Sequence, residues 1–399
     1  MNQPGSLLIT RLWRTVAAAL AMGAILVACG GGGGASVSFG SGVDTGGTGS
    51  FASGRVAGFG SIIVNNVRFE DSSASVTDDD GRSRSRDELR LGMVVEIQSG
   101  AITQGTAATL GSATASAVNI ASEIKGPVQA IAGSSLTVLG QGVIVVATTL
   151  FEDGLSLQAI RVGDIVEVYG FIGANGQITA TRIEREDAGT SNFKLRGFVA
   201  NLNTTARTFS IGGATISYAS VVPLPSLANG NFVRVRVNTV QSAGVWTATR
   251  IEVRRPFDNR GEAEIEGIVT AYPGSGTSFQ VNGLPVDASG ARFKDGSIAN
   301  LALGARVEVE GAVLNGVLMA REVEFKDVAD EGKVEVKDVI QSVNPPSGFV
   351  VRGVRFFHDF ATRFKDGTAA RLVPGARVEV KGSLTAGGAS VHADEVDFE

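Results

Sequence analysis

The stretch EAEIEGIVTAYPGSGTSFQVNGLPVDASGARFKDGSIANLALGARVEVEGAVLNGVLMAREVEF, Glu262 to Phe325, decides the fold. Ala263 and Ile265 alternate with Glu262, Glu264 and Glu266, the period of two that marks a half-buried strand. Phe279 and Val281, then Asn282-Gly283, then Leu284 and Val286 read as a hairpin, because Asn-Gly tolerates positive φ at both turn positions. Ala305, Val307 and Val309 face one way and Arg306, Glu308 and Glu310 the other. A second Asn-Gly at Asn315-Gly316 leads into a last strand ending in Val323 and Phe325. Five strands with tight turns in about 70 residues cannot build a deep two-layer sandwich, whereas a small sheet closed on itself removes its edges. The expectation is a five-stranded, OB-like barrel.

The same pattern recurs along the chain. A first mark stands at Gly54, Gly126, Gly197, Gly267 and Asp338, at steps of 72, 71, 70 and 71 residues. A second, an apolar residue, two variable ones and a glycine before alternating apolar residues, places Gly92, Gly163, Gly230, Gly304 and Gly375 after the first by 38, 37, 33, 37 and 37 residues. A third closes each copy, as in ATRIER from Ala180 and ADEVDF from Ala393. The phase predicts five tandem all-β domains: 51–121, 122–190, 191–258, 259–329 and 330–399. Short links at 187–192, 256–261 and 327–332 leave a linear array, an arc or a compact ring open.

Arg-Phe-Lys-Asp-Gly occurs at Arg292 and again at Arg363, in the same phase of two copies, and Phe151-Glu152-Asp153-Gly154 fills that slot in a third. A motif that tolerates Lys294 becoming Glu152 reads as architecture. Phe293 and Phe364 read as strand-ending anchors that plug one end of their barrels, with Asp-Gly supplying the positive-φ turn, and Phe151 marks the same position in its copy. The third copy has YASVVPLPSL from Tyr218 instead.

The N-terminus has a different logic. Arg11 and Arg14 precede an apolar run from Val16 to Val27, too short for a stable membrane span, which reads as an export signal over 1–28. Leu26-Val27-Ala28-Cys29 resembles a bacterial lipobox, and Cys29 is the only cysteine. That resemblance implies lipidation at Cys29 and a membrane anchor. Gly30 in place of an aspartate implies the outer membrane, facing periplasm or surface. Residues 29–50 read as a Gly-rich tether. Without 1–28 the chain carries 33 basic against 40 acidic residues, net −7, a balance that argues against a nucleic-acid partner.

The pattern Gly-x-Val, Asn-Gly hairpin, Phe-x-Asp-Gly, Leu-x-x-Gly-x-x-Val-x-Val and Ala-x-x-Val resembles a bacterial domain family of unknown function. That family occurs in tandem copies in proteobacterial envelope lipoproteins and is related to small OB-like barrels. It implies a location and a fold but no activity.

Candidate chemistry is sparse. His358 and His392, the only histidines, have no metal-ligand spacing, and no Gly-x-Ser-x-Gly elbow occurs. Glu308 and Glu310 read as solvated charge on an outer strand face. Asp78-Asp79-Asp80-Gly81 comes nearest to a cation loop, with Asp78 and Asp80 at ligand positions. Val76 then stands where the first ligand must be, so a solvated loop balanced by Arg82, Arg84 and Arg86 is expected. The sequence thus predicts no cofactor, no metal, no enzyme activity, and a role in protein interaction or structure. Polysaccharide or other ligand binding is the alternative, for which Trp246, Tyr169, Tyr218 and Tyr272 are the stacking candidates.

Overall fold

A computed structural model describes residues 49–106, 109–254, 261–327, 332–388 and 390–399. The export signal, the Leu26-Val27-Ala28 lipobox, Cys29 and nearly all of the tether lie outside the described residues. The described part is all-β, with three short 3-10 turns and no α-helix.

Over 262–325 the expected strands form: Glu262–Ala271, Ser278–Val281, Leu284–Asp287, Arg306–Leu314 and Val317–Phe325, with a short Arg292–Lys294 strand between them. Asn282 and Gly283 have φ of 50° and 77°, and Asn315 and Gly316 have 52° and 77°, as the hairpin reading requires. The opening strand pairs antiparallel with Ser278–Val281 on one edge and with Arg306–Leu314 on the other. Leu284–Asp287 returns along the hairpin, and Val317–Phe325 closes the cycle, antiparallel to Arg306–Leu314 and parallel to Leu284–Asp287. Val269, Phe279, Val281, Val309, Leu318 and Val323 fill the interior and are buried. This is a small closed barrel, and the same cycle of pairings joins the strands of 50–120, 124–185, 193–253 and 333–398.

The repeated glycines have distinct duties. Gly92, Gly163, Gly230, Gly304 and Gly375 all have φ between 82° and 96°, the left-handed region. Each donates its N–H to the opening strand of its own barrel, as in Gly304 to Val269 (2.9 Å) and Gly375 to Ile340 (2.8 Å). The second mark therefore clamps the fourth strand to the first. The first mark answers a steric demand: a Cβ on Gly267 would lie 2.2 Å from the Asn282 side chain, and one on Gly54 2.0 Å from that of Asn65. The residue at the hairpin tip folds over the opening strand there, and Asn282 donates to the Glu266 carbonyl at 3.0 Å. In 333–398 the tip is Arg352, which reaches outward to Asp338 (3.8 Å), Asp87 (3.7 Å) and the Arg86 carbonyl (3.1 Å). Asp338 can replace glycine because its tip residue pairs with it instead of lying on it.

Phe293 and Phe364 are half-buried, pack against their barrels' cores and stack on Phe325 and Phe398, each pair 6.3 Å between centroids. Phe151 is likewise half-buried against its core. In these Asp-Gly turns the positive φ falls on Asp295 and Asp366, at 53° and 52°. Gly296 is required for a different reason: its Cβ would meet the Phe325 ring at 2.5 Å. In the third copy Tyr218 is buried and tilted on Phe209.

The described residues all fall within one compact unit, so a linear array is excluded. The opening strand Ser50–Phe59 runs parallel to Glu262–Ala271, with Ala52 opposite Glu264, and further along to Lys333–Asn344, with Phe59 opposite Val336. Ile124–Ala132 pairs with Phe193–Phe198. The apolar interior of 50–120 is continuous with that of 333–398, and that of 124–185 with that of 193–253.

Candidate interaction cleft

The charged strand faces meet each other across barrel seams. Asp78 ends the strand Ser75–Asp78; its Oδ1 accepts the backbone N–H groups of Asp80 and Arg82 at 2.9 Å, and Arg84 pairs with Oδ2 at 2.8 Å. Asp80 pairs with Arg236 at 2.8 Å. Asp79 turns inward, 3% exposed, against Lys194 at 2.6 Å, Arg196 at 3.5 Å and Arg234 at 3.6 Å. The expectation of a solvated Asp loop is thus corrected. The balancing cations come mostly from another barrel, where FKLRGF and FVRVRV place Lys194, Arg196, Arg234 and Arg236 on one outward face. Of the two cation candidates, Asp78 engages both oxygens, with backbone donors and Arg84, and Asp80 sets Oδ1 against Arg236. Among the described residues no group of three or more His, Cys, Asp or Glu side chains is arranged to hold a metal.

Lys194 is the meeting point of three barrels, since its ammonium also lies 2.6 Å from Glu167 on Ile165–Ile172. Burial works against its charge, yet Asp79 and Glu167 keep its pKa above the ordinary lysine range. Burial likewise opposes ionisation of Asp79, but Lys194, Arg196 and Arg234 outweigh it and hold the carboxyl below its usual value. Nearby Glu123 has no hydrogen-bond partner on Oε2. Burial pushes it up to about 7, against the pull of Arg196 and Arg254.

Beside this hub opens a cleft of about 800 Å³, bounded by the 50–120, 124–185, 193–253 and 333–398 barrels. Its buried lining includes Glu167, Lys194 and Tyr169, with apolar surface from Phe59 and Leu150. Its exposed lining includes Asp153 and Arg355, paired across two barrels at 3.1 Å. Lys125 lies 4.0 Å from Glu167 and 3.8 Å from Glu186. Burial, then the hydrogen bond and charge of Glu167, push Glu186 up to about 7.

The structure brings Asp78, Asp80 and Phe151 together at this cleft and leaves the other markers apart. Gly92 sits at a seam, its carbonyl accepting from Thr181 Oγ1 at 2.7 Å, while Gly163, Gly230, Gly304 and Gly375 face open space. Phe293 and Phe364 lie elsewhere in their barrels' margins. His358 lies between Phe349 and Phe364, at 6.4 and 5.6 Å. His392 is held between Asp359 (3.0 Å) and Asp394 (2.9 Å), whose hydrogen bonds raise its pKa. Glu308 and Glu310 also depart from expectation: Glu308, its side chain 11% exposed, pairs with Lys326 at 2.9 Å, and Glu310 with Arg321 at 2.6 Å. Lys194, Glu123 and Tyr169 carry the hub and cleft without any motif to mark them; the available signal was the opposite sign of charge on equivalent faces of successive copies.

These barrels define a class, tandem small β-barrel domains. The sequence profile described as Domain of unknown function (DUF5666) matches residues 125–184, 196–252, 266–324 and 339–397, more than half of the chain. The chain belongs to the DUF5666 family. No curated protein matches it.

Proposed function

We propose that the chain is a non-enzymatic envelope lipoprotein in which five OB-like barrels, with 50–120 as a fifth copy ahead of the four matched by the family profile, form one body that presents the cleft to a protein partner. Lipid on Cys29 would hold it at the outer membrane, and the tether would set its reach. The observation that carries this reading is how the polar strand faces are used. They join consecutive barrels, as Lys194 does with Glu167, and barrels that are not neighbours in sequence, as it does with Asp79, and leave one large polar cleft between four barrels. Clefts of this volume are large enough to enclose part of a partner.

A polysaccharide ligand is disfavoured by a specific feature. Sugar stacking needs accessible aromatic faces; Trp246, Tyr169 and Tyr218 are 4, 4 and 5% exposed, and the more accessible Tyr272 and Phe360 do not line the cleft. Crosslinking from the cleft in intact cells, through photoreactive residues at Asp153 and Arg355, tests the reading. One dominant protein adduct supports it; glycan adducts or none overturn it. Metabolic labelling with a fatty acid, lost in Cys29→Ser, tests the anchor separately.

A further inference from the structure

Glu264 is 3% exposed, and its Oε2 has no hydrogen-bond partner. It stands on Glu262–Ala271 where that strand runs parallel to Ser50–Phe59 of another barrel. Carboxylates surround it on its own barrel. Glu264 faces Glu310 across the ladder and Glu266 faces Glu308, while on the next strand Glu308 faces Glu324 and Glu310 faces Glu322. Like charges directly opposite each other destabilise a sheet, so each needs a cation. Glu308 and Glu324 have Lys326, at 2.9 and 2.7 Å; Glu324 also has Lys294; Glu266 has Arg306 at 2.7 Å; Glu310 and Glu262 share Arg321; Glu322 has Arg292. From the facing strand the Arg55 backbone N–H donates to Glu266, and the Asn65 amide donates to the Glu264 carbonyl, not to its carboxyl. Among the described residues none forms an ion pair with Glu264, and the group that acts most strongly on its carboxyl after burial is another carboxyl, that of Glu308. Two carboxyl groups can share a hydrogen bond only while one of them carries a proton.

We propose that the Glu264–Glu308 pair is an alkaline-opened latch, which keeps the 50–120 and 262–325 barrels zipped at Phe51–Ser53 while it holds a proton and releases that ladder when the proton leaves. The seam is suited to local opening, because the ladder is three residue pairs long and each strand keeps its partners within its own barrel. Burial, then the charges of Glu308 and Glu310, raise the Glu264 pKa well above the ordinary carboxyl value. Burial also lifts Glu308 to about 7 in spite of Lys326. The sign follows from linkage. Raised carboxyls bind more protons in the closed state than in the open one, so closure is favoured at low pH and weakens as pH climbs above about 4.5 and through the value of the pair.

Hydrogen exchange of the full chain, read by mass spectrometry and corrected for intrinsic rates, tests the latch. Peptides containing Phe51–Ser53 and Ala263–Ile265 should exchange about tenfold faster at pH ~9 than at pH ~6.5, with no such change over Phe209–Ile211. Glu264→Gln should reduce that ratio to about twofold or less, because the Gln amide donates to Glu308 at any pH. Glu308→Gln makes the same comparison should Glu264→Gln fail to fold. Unchanged protection in the native sequence, or a tenfold ratio retained in the variants, overturns the proposal.

Discussion

The barrels of 193–253 and 262–325 share one cycle of pairings and opposite outward charge. The first presents Lys194, Arg196, Arg234 and Arg236, while at equivalent strands the second presents Glu264, Glu266, Glu308 and Glu310. Their interiors are nearly interchangeable runs of Val, Ile, Leu and Phe, and their clamping glycines, Gly230 and Gly304, have φ of 86° and 85°. What repeats along the chain builds a barrel; what fails to repeat decides which barrels meet. A copied sequence would give identical modules with no preferred neighbours, and charge on the outward positions supplies the preference.

The largest test of this division is Lys194→Met. It leaves Asp79 and Glu167 buried without their shared ammonium, and should cost about 3–5 kcal/mol of stability in denaturant unfolding. A loss under 1 kcal/mol would mean that the seams are incidental to the fold. Inside a barrel, Gly267→Ala should cost about 2 kcal/mol through overlap with Asn282. The double variant Gly267→Ala/Asn282→Gly should recover part of it, and a strictly additive cycle would remove the hairpin-tip explanation. Phe293→Ala, at a half-buried ring, should cost about 2 kcal/mol, below the range for a fully buried phenylalanine. The smallest effect is a pH slope. With Glu123 raised from 4.5 to about 7, its contribution to stability falls as pH rises across that window, and Glu123→Gln should flatten the thermal midpoint there.

Much of the barrel was legible from alternation and turn chemistry, because a side chain's face in a strand is fixed by its parity. Asn282-Gly283 and Asn315-Gly316 formed the turns read from them, and the Leu-x-x-Gly glycines all proved left-handed. The destination of the polar face was not legible. Parity puts Glu308 opposite Val309 but cannot say whether that face meets water or another barrel. Asp79 misled for the same reason: its balancing cations were sought among sequence neighbours, whereas Lys194 is more than a hundred residues away. The cleft was illegible too, being a space between modules and not a property of any one.

The parallel ladder between Ser50–Phe59 and Glu262–Ala271 has a consequence for the order of events during synthesis. Ala52 waits for Glu264, some 212 residues later, which at ribosomal speed is roughly 10–40 s. For that interval one edge of the first strand to emerge has no lateral partner, and an open edge invites pairing with other chains. The chain therefore carries an open edge from early in synthesis: the fourth barrel covers it at Phe51–Ser53, and only the fifth, through Glu335 and Val336, covers it at Gly58 and Phe59.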